Sequence, residues 1–204
     1  RRANPYQTPY DENGNYVYDI DIQGKGDSDL MFNVFEERNN TSYEQTTNAL
    51  SAIFDVELRF NDRFKATSQV GMQLDAVSKE SIADHDTYAM RKDKEFTTIA
   101  SLGNKSFLPD GGKHTEAANT NSQINWKTQA EYRDSYNDIH EFEMMAGTEI
   151  RKTWYNSLNS TGYGFDRKTL TTKPVIFPNE SWARSYPLHT KNYVENAYAS
   201  FFST

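Results

Sequence analysis

Two pairs of segments in this chain alternate apolar and polar residues over ten or more positions, with a short link inside each pair and a long link between the pairs. In the first segment Leu50, Ala52, Phe54, Val56, Leu58 and Phe60 share one face, and Ser51, Ile53, Asp55, Glu57 and Arg59 share the other. After Asn61-Asp62-Arg63 the pattern resumes, with Phe64, Ala66, Ser68, Val70, Met72, Leu74 and Ala76 against Lys65, Thr67, Gln69, Gly71, Gln73 and Asp75. The second pair sets Ile124, Trp126, Thr128, Ala130 and Tyr132 against Asn125, Lys127, Gln129, Glu131 and Arg133. It then sets Phe142, Met144, Ala146, Thr148 and Ile150 against Glu141, Glu143, Gly147, Glu149 and Arg151. Successive side chains of a strand point to opposite faces, so a period of two predicts two-faced strands. The reading is a hairpin over residues 47–60 and 64–77, a second with its turn at 134–140, and a fifth strand beginning near Asn192.

Length and charge narrow the class. The alternating runs span about 12–14 residues, where strands of soluble proteins average about 5–6 and a tilted membrane-crossing strand needs about 9–11. Asp55, Glu57, Arg59, Lys127, Glu131, Arg133, Glu149 and Arg151 fall on the polar faces. A cation turned toward hydrocarbon would cost about 2–4 kcal/mol at the bilayer midplane. These eight residues are therefore predicted to face a wet lumen, with the opposite stripe facing lipid. The connections at 78–120 and 155–190 are longer than a compact soluble domain needs, whereas outer-membrane barrels carry such loops on their outer side.

Composition agrees. Only 36% of residues are hydrophobic and the mean hydropathy is −0.88, polar for a globular core. The 13 Tyr and 12 Phe are too many for a disordered chain. A net charge of −7 without any basic run excludes nucleic acid as a partner. The absence of cysteine excludes thiol catalysis, thiolate metal sites and disulfides. No apolar run reaches the length of a membrane helix, which leaves barrels untouched. The fold class is all-β: a segment of a transmembrane antiparallel β-barrel with long extracellular loops.

Motifs of catalysis are weak. Asp11, Asn13 and Asn15 open like a calcium loop, but the glycine comes at the fourth position and Ile22 stands where the closing Glu belongs. That stretch reads as a turn, followed by a short strand at 16–22. Asp84-His85-Asp86 reads as a solvated loop, and Gly24-x-Gly26 carries no phosphate-binding context. Glu141 and Glu143 share a face that also carries basic residues, so they read as lumen lining rather than a hydrolytic pair. No nucleophile elbow or metalloprotease motif occurs, and the chain is read as a non-enzyme without cofactor. Loop aromatics Tyr88, Phe107, Tyr155, Tyr163, Phe165, Trp182 and Tyr186 either contact cargo or a partner, or pack their own loops. Phe60, Phe64, Tyr132, Tyr136 and Trp154, near strand ends, suit an interfacial girdle.

Three stretches carry a family resemblance. Asn4-Pro5-Tyr6 with Pro9-Tyr-Asp-Glu-Asn-Gly14 resembles a loop of SusC/RagA-type TonB-dependent outer-membrane transporters of Bacteroidetes. Phe32-Asn33, Glu36-Glu37 and Asn39-Asn40, leading into Asn48-Ala-Leu-Ser-Ala, are similar to that family's next segment. Glu195-Asn-Ala-Tyr-Ala-Ser-Phe-Phe-Ser-Thr204 resembles the start of one of its strands. The resemblance implies a 22-stranded barrel of which residues 1–204 are a slice, with a plug domain and TonB box elsewhere in the polypeptide. It implies a SusD-like surface lipoprotein as lid, TonB as motor, and an oligosaccharide or peptide as cargo, in the bacterial outer membrane with its lipid as surroundings.

The function expected is part of an active importer. Two other readings stand beside it: a soluble β-sandwich carbohydrate-binding module, which requires a second sheet over the Leu50–Phe60 stripe, and a passive porin-type barrel. The slice is not expected to fold alone, because an open sheet leaves two unpaired edges.

Overall fold

The computed structural model describes residues 6–19, 21–24, 28–137 and 139–204. Asn4-Pro5 of the loop motif, Gly26 and the Tyr136 side chain lie outside the described residues. The elements are α1 (Val34–Asn40), β1 (Thr41–Arg59), β2 (Phe64–Ala83), α2 (Tyr88–Phe96), β3 (Thr98–Ile99), β4 (Lys105–Ser106), β5 (Gly112–Tyr136), β6 (His140–Asp166), β7 (Thr171–Lys173), α3 (Glu180–Ser185) and β8 (His189–Ser203). One sheet runs β1-β2-β5-β6-β7 with β8 also paired to β6, and β3 pairs with β4 in a separate ribbon.

The strands exceed the predicted spans. β1 has 19 residues, β2 20, β5 25 and β6 27. The added stretches, such as Thr41-Ser-Tyr-Glu-Gln-Thr-Thr47, are polar on both faces. Alternation reports a contrast between two environments, whereas the hydrogen-bonded ladder continues wherever backbone partners exist. The long connections shrink accordingly to 84–111 and 167–188, and each holds short helices or ribbons. Among the described residues 16–19, 21 and 22, the short strand expected at 16–22 does not form. Tyr16 and Asp19 instead make single bridges to Tyr10 and Phe32.

Turn chemistry explains the tight reversals. Asn61 Oδ1 accepts from the backbone N–H groups of Arg63 (2.9 Å) and Phe64 (2.7 Å), closing β1 onto β2. Asn137 bends the β5–β6 link at φ 56°, a left-handed conformation that Asn tolerates. Each helix opens on a side-chain cap: Asn33 for α1, Thr87 for α2 and Asn179 for α3. Asn33 is buried, and its amide also donates to the carbonyls of Pro9 (2.8 Å) and Val17 (2.7 Å), tying the N-terminal loops to α1.

The chain divides into two compact units. One comprises residues 1–45, 79–117 and 159–190, and holds the helices and the buried core. Met90, Phe107, Leu108 and Tyr163 form that core, with Val175, Phe177, Trp182, Tyr186 and Leu188 packed against it. The base of its 84–111 segment meets β6 glycine to glycine. A β-carbon on Gly111 (φ 136°) would stand 2.5 Å from the carbonyl carbon of Gly164, itself at φ 66°. The other unit comprises residues 46–78, 118–158 and 191–204, and is strand and turn.

Candidate functional site

In the strand-and-turn unit the sheet has two chemically distinct faces. Phe60 and Phe64 close the first hairpin with rings 5.3 Å apart. Gln69 Nε2 donates to Asp55 Oδ1 at 2.6 Å, each residue equally far from that closing pair, which fixes the β1–β2 register. Between β2 and β5, Ser68 meets Thr128 at 3.1 Å on one face, and Lys65 meets Glu131 at 3.0 Å on the other. Between β5 and β6, Arg133 meets Glu143 at 2.7 Å. This register lines up the apolar residues of β1, β2, β5 and the first half of β6 on a single face.

That face is uncovered. Phe54 is 63% exposed, Val56 56% and Leu74 42%. A sandwich would bury this stripe under a second sheet, and among the described residues no second sheet covers it. The opposite face is self-paired. Arg59 binds Glu57 (2.6 Å), Arg151 binds Glu149 (2.9 Å), Gln129 donates to Glu131 (3.0 Å), and Lys127 stands 5.2 Å from the Phe202 ring. The charged side chains Asp55, Glu57, Arg59, Lys127, Glu131, Arg133, Glu149 and Arg151 thus share one face. Such exposed pairs are individually worth little in water. Their consequence is that acid and base neutralise each other along this face.

On the apolar side near the far end of β6, Lys152 stands 5.0 Å from the Trp154 ring and bonds Glu195 on β8 at 2.5 Å, while Tyr193 donates to Glu195 at 2.6 Å. Aromatic rings and snorkelling cations of this kind suit a membrane–water boundary. The sequence offered Trp154 as a girdle candidate; the link from its neighbour Lys152 to Glu195 was not visible there, because Glu195 comes from a strand about 40 residues away.

The aromatics of the helix-bearing unit converge in part. Phe107, Tyr163, Trp182 and Tyr186 come together, joined by Phe96 and Phe177: the Phe107 and Trp182 centroids are 5.2 Å apart and Phe96 lies 6.0 Å from Trp182. Tyr163 donates its hydroxyl to Asp93 Oδ2 (3.1 Å) and meets the Tyr186 hydroxyl at 3.0 Å, while Lys113 bonds the same Asp93 oxygen at 2.8 Å. Burial pushes both phenols above the ordinary tyrosine range, so they remain donors. Phe107, Tyr163 and Phe165 are buried, and they hold the loops rather than line a surface. Tyr88 packs edge-on against Phe32 at 5.6 Å, and Phe165 packs on His114. Tyr155 lies on β6 in the other unit, with its hydroxyl 3.4 Å from Asn119. Tyr155, Tyr163 and Phe165 are therefore strand residues, not loop residues as the sequence had suggested.

The motifs weighed for metal or acid–base chemistry resolve plainly. Asp11 accepts from the backbone of Asn13 and Asn15 and from the Asn15 side chain, which forms a turn around the carboxylate. Those hydrogen bonds, that of the Asn15 side chain foremost, hold its pKa below the usual value. His85 pairs with Asp86 in the exposed loop, and Asp84 accepts from Arg167 at 3.2 Å.

No protein-family model matches the chain. No curated protein matches it in sequence. Its structure is similar over 97% of its length to the RagAB peptide transporter, with a TM-score of 0.67 at 18% identity, covering 19% of that chain. The fold is that of a β-barrel segment. The RagAB peptide importer in its "closed-closed" state matches at 0.67 and 17% identity, and in its "open-open" state at 0.65 and 16%, with the same coverage. The barrel segment read from strand alternation is borne out, as is the SusC/RagA-type resemblance at the level of fold. The segment spans about a fifth of the length of those transporter chains.

Proposed function

We propose that this chain forms part of the wall and outer loops of an active importer in the bacterial outer membrane. The uncovered apolar face looks at lipid and the self-paired charged face looks into a wet lumen. The whole of residues 1–204 belongs to the barrel domain of a TonB-driven transporter whose plug lies elsewhere in the polypeptide. The single observation supporting this is the two-faced sheet. It carries a continuous exposed stripe of large apolar residues on strands longer than a bilayer crossing requires, in a fold shared with a peptide transporter.

The helix-bearing loops are assigned to the extracellular side, because short turns face the periplasm in such barrels. There they contact a SusD-like surface lipoprotein and the cargo. The peptide class is favoured over oligosaccharide by the peptide cargo in the names of the structural neighbours. The partly exposed aromatics Tyr88, Trp182, Tyr186 and Tyr155 are the contact candidates. The chemistry is binding and passage, with no covalent step.

Replacing residues 85–110 of the intact protein by a short turn tests the loop role. Peptide uptake and co-purification of the lipoprotein are both expected to fall sharply. Unchanged uptake together with unchanged lipoprotein association would remove the role assigned to the loops.

A further inference from the structure

We propose that Glu80, His114 and Glu116 form a binding site for a divalent transition cation of the zinc type, bridging β2 and β5. The site lies wholly within the helix-bearing unit and is separate from the faces described above. His114 Nε2 stands 2.8 Å from Glu80 Oε1 and 3.8 Å from Glu116 Oε1. One ligand atom from each of the three residues lies within 4.8 Å of the others. A tetrahedral ion with bonds of about 2.0–2.2 Å sets its ligands about 3.3–3.6 Å apart. The observed separations bracket that spacing, and two glutamate side chains can close the difference by small rotations.

The strand register adds a separate reason. Gly112 abuts Ala83 and Asp84, and Ser68 meets Thr128, so counting along the pair places Glu80 directly opposite Glu116. Like charges directly opposite each other destabilise a strand pair. Among the described residues, no lysine or arginine forms a salt bridge with either carboxylate. Lys173 lines the neighbouring cavity, but its ammonium bonds the Asp110 carbonyl at 2.9 Å. Of the described residues, His114 alone bridges the two carboxylates, and a cation held by all three residues would offset the remaining repulsion.

The ring is also positioned. His114 is mostly buried, and it packs against Phe165 with centroids 4.9 Å apart, which aims Nε2 at the two carboxylates. Gly162 and His189 line a cavity of about 350 Å³ beside it, leaving the ion's remaining coordination open to water or to a donor from outside. One imidazole and two carboxylates suit zinc better than calcium or magnesium, which take all-oxygen shells of six or more ligands.

The test uses the intact protein, purified in detergent and stripped with a chelator, and titrates Zn2+ by isothermal calorimetry and equilibrium dialysis. The expected result is one tight equivalent that millimolar Ca2+ or Mg2+ leaves in place. That equivalent should weaken tenfold or more in H114A and in the E80Q/E116Q double variant, while H85A keeps it. Heat-modifiable migration on a gel checks that each variant is folded, and E116Q alone serves if the double variant is not. Equal zinc binding by the parent and the folded variants overturns the site, as does no stoichiometric binding by the parent. The readout is metal bound, not uptake, so its failure leaves the transport reading standing.

Discussion

Phe202 on β8 lies over the bare α-carbon of Gly147 on β6: a β-carbon built there would stand 2.4 Å from the ring and 2.7 Å from the Thr128 carbonyl oxygen of β5. Three strands therefore meet at a position where a side chain does not fit. Gly147→Ala is expected to destabilise the folded barrel by about 1–3 kcal/mol, the usual range for overpacking. Urea unfolding in lipid vesicles would measure this. Adding Phe202→Ala should recover part of the loss, because the ring is one of the two obstacles.

The two faces of β1 and β2 should respond oppositely to charge. Val56→Arg puts a cation on the proposed lipid side and should cost about 2–4 kcal/mol. Thr67→Arg, on the charged face, should be close to neutral. The folded fraction recovered in vesicles distinguishes them, and equal effects would reverse or abolish the assigned sidedness.

Tyr163 is the hinge pin of the loop cluster. Tyr163→Phe keeps the ring and removes the hydroxyl's bonds with Asp93 and Tyr186. The expected loss is about 1.5–3 kcal/mol, as for a hydrogen bond to a charged group. It should appear as faster protease cleavage in 84–111 and 167–188, with the transmembrane strands still folded.

Glu37 on α1 supplies a pH dependence. Desolvation raises its folded pKa above 4.5, outweighing the hydrogen bond from the Tyr88 N–H and the attraction of Arg91. A carboxyl with a raised folded pKa binds more protons folded than unfolded. Its contribution is therefore largest below the unfolded value and declines as pH rises through the folded one. Protease resistance around α1 and α2 should fall as pH rises above about 4.5 toward neutrality. Glu37→Gln should flatten that profile.

What could be read from the sequence follows what the physics writes there. Phe54, Val56 and Leu58 alternate with Asp55, Glu57 and Arg59 because the two faces of the sheet differ chemically, so the two-faced part of each strand was visible. Lys152–Tyr155 and Gly162–Phe165 remain strand, but the period-two contrast that marks a strand is missing from them. The aromatic cluster was half legible. Phe107, Tyr163, Trp182 and Tyr186 were named as candidates, yet burial of Phe107 and Tyr163 depends on which loops meet, and residues 107 and 163 have no local signal linking them. The Glu80–His114–Glu116 group was invisible for the same reason: it exists only through the register of two strands joined by a 28-residue connection from 84 to 111.

The glycine pair Gly111 and Gly164 carries a consequence for how this segment can change. With no room for a β-carbon at that crossing, the foot of the loop is riveted to the wall by backbone alone. Amino acids farther out can be exchanged, lengthened or shortened without disturbing the rivet. On the importer reading proposed above, such a wall could come to accept a different cargo through rewritten loop tips while its frame stays the same.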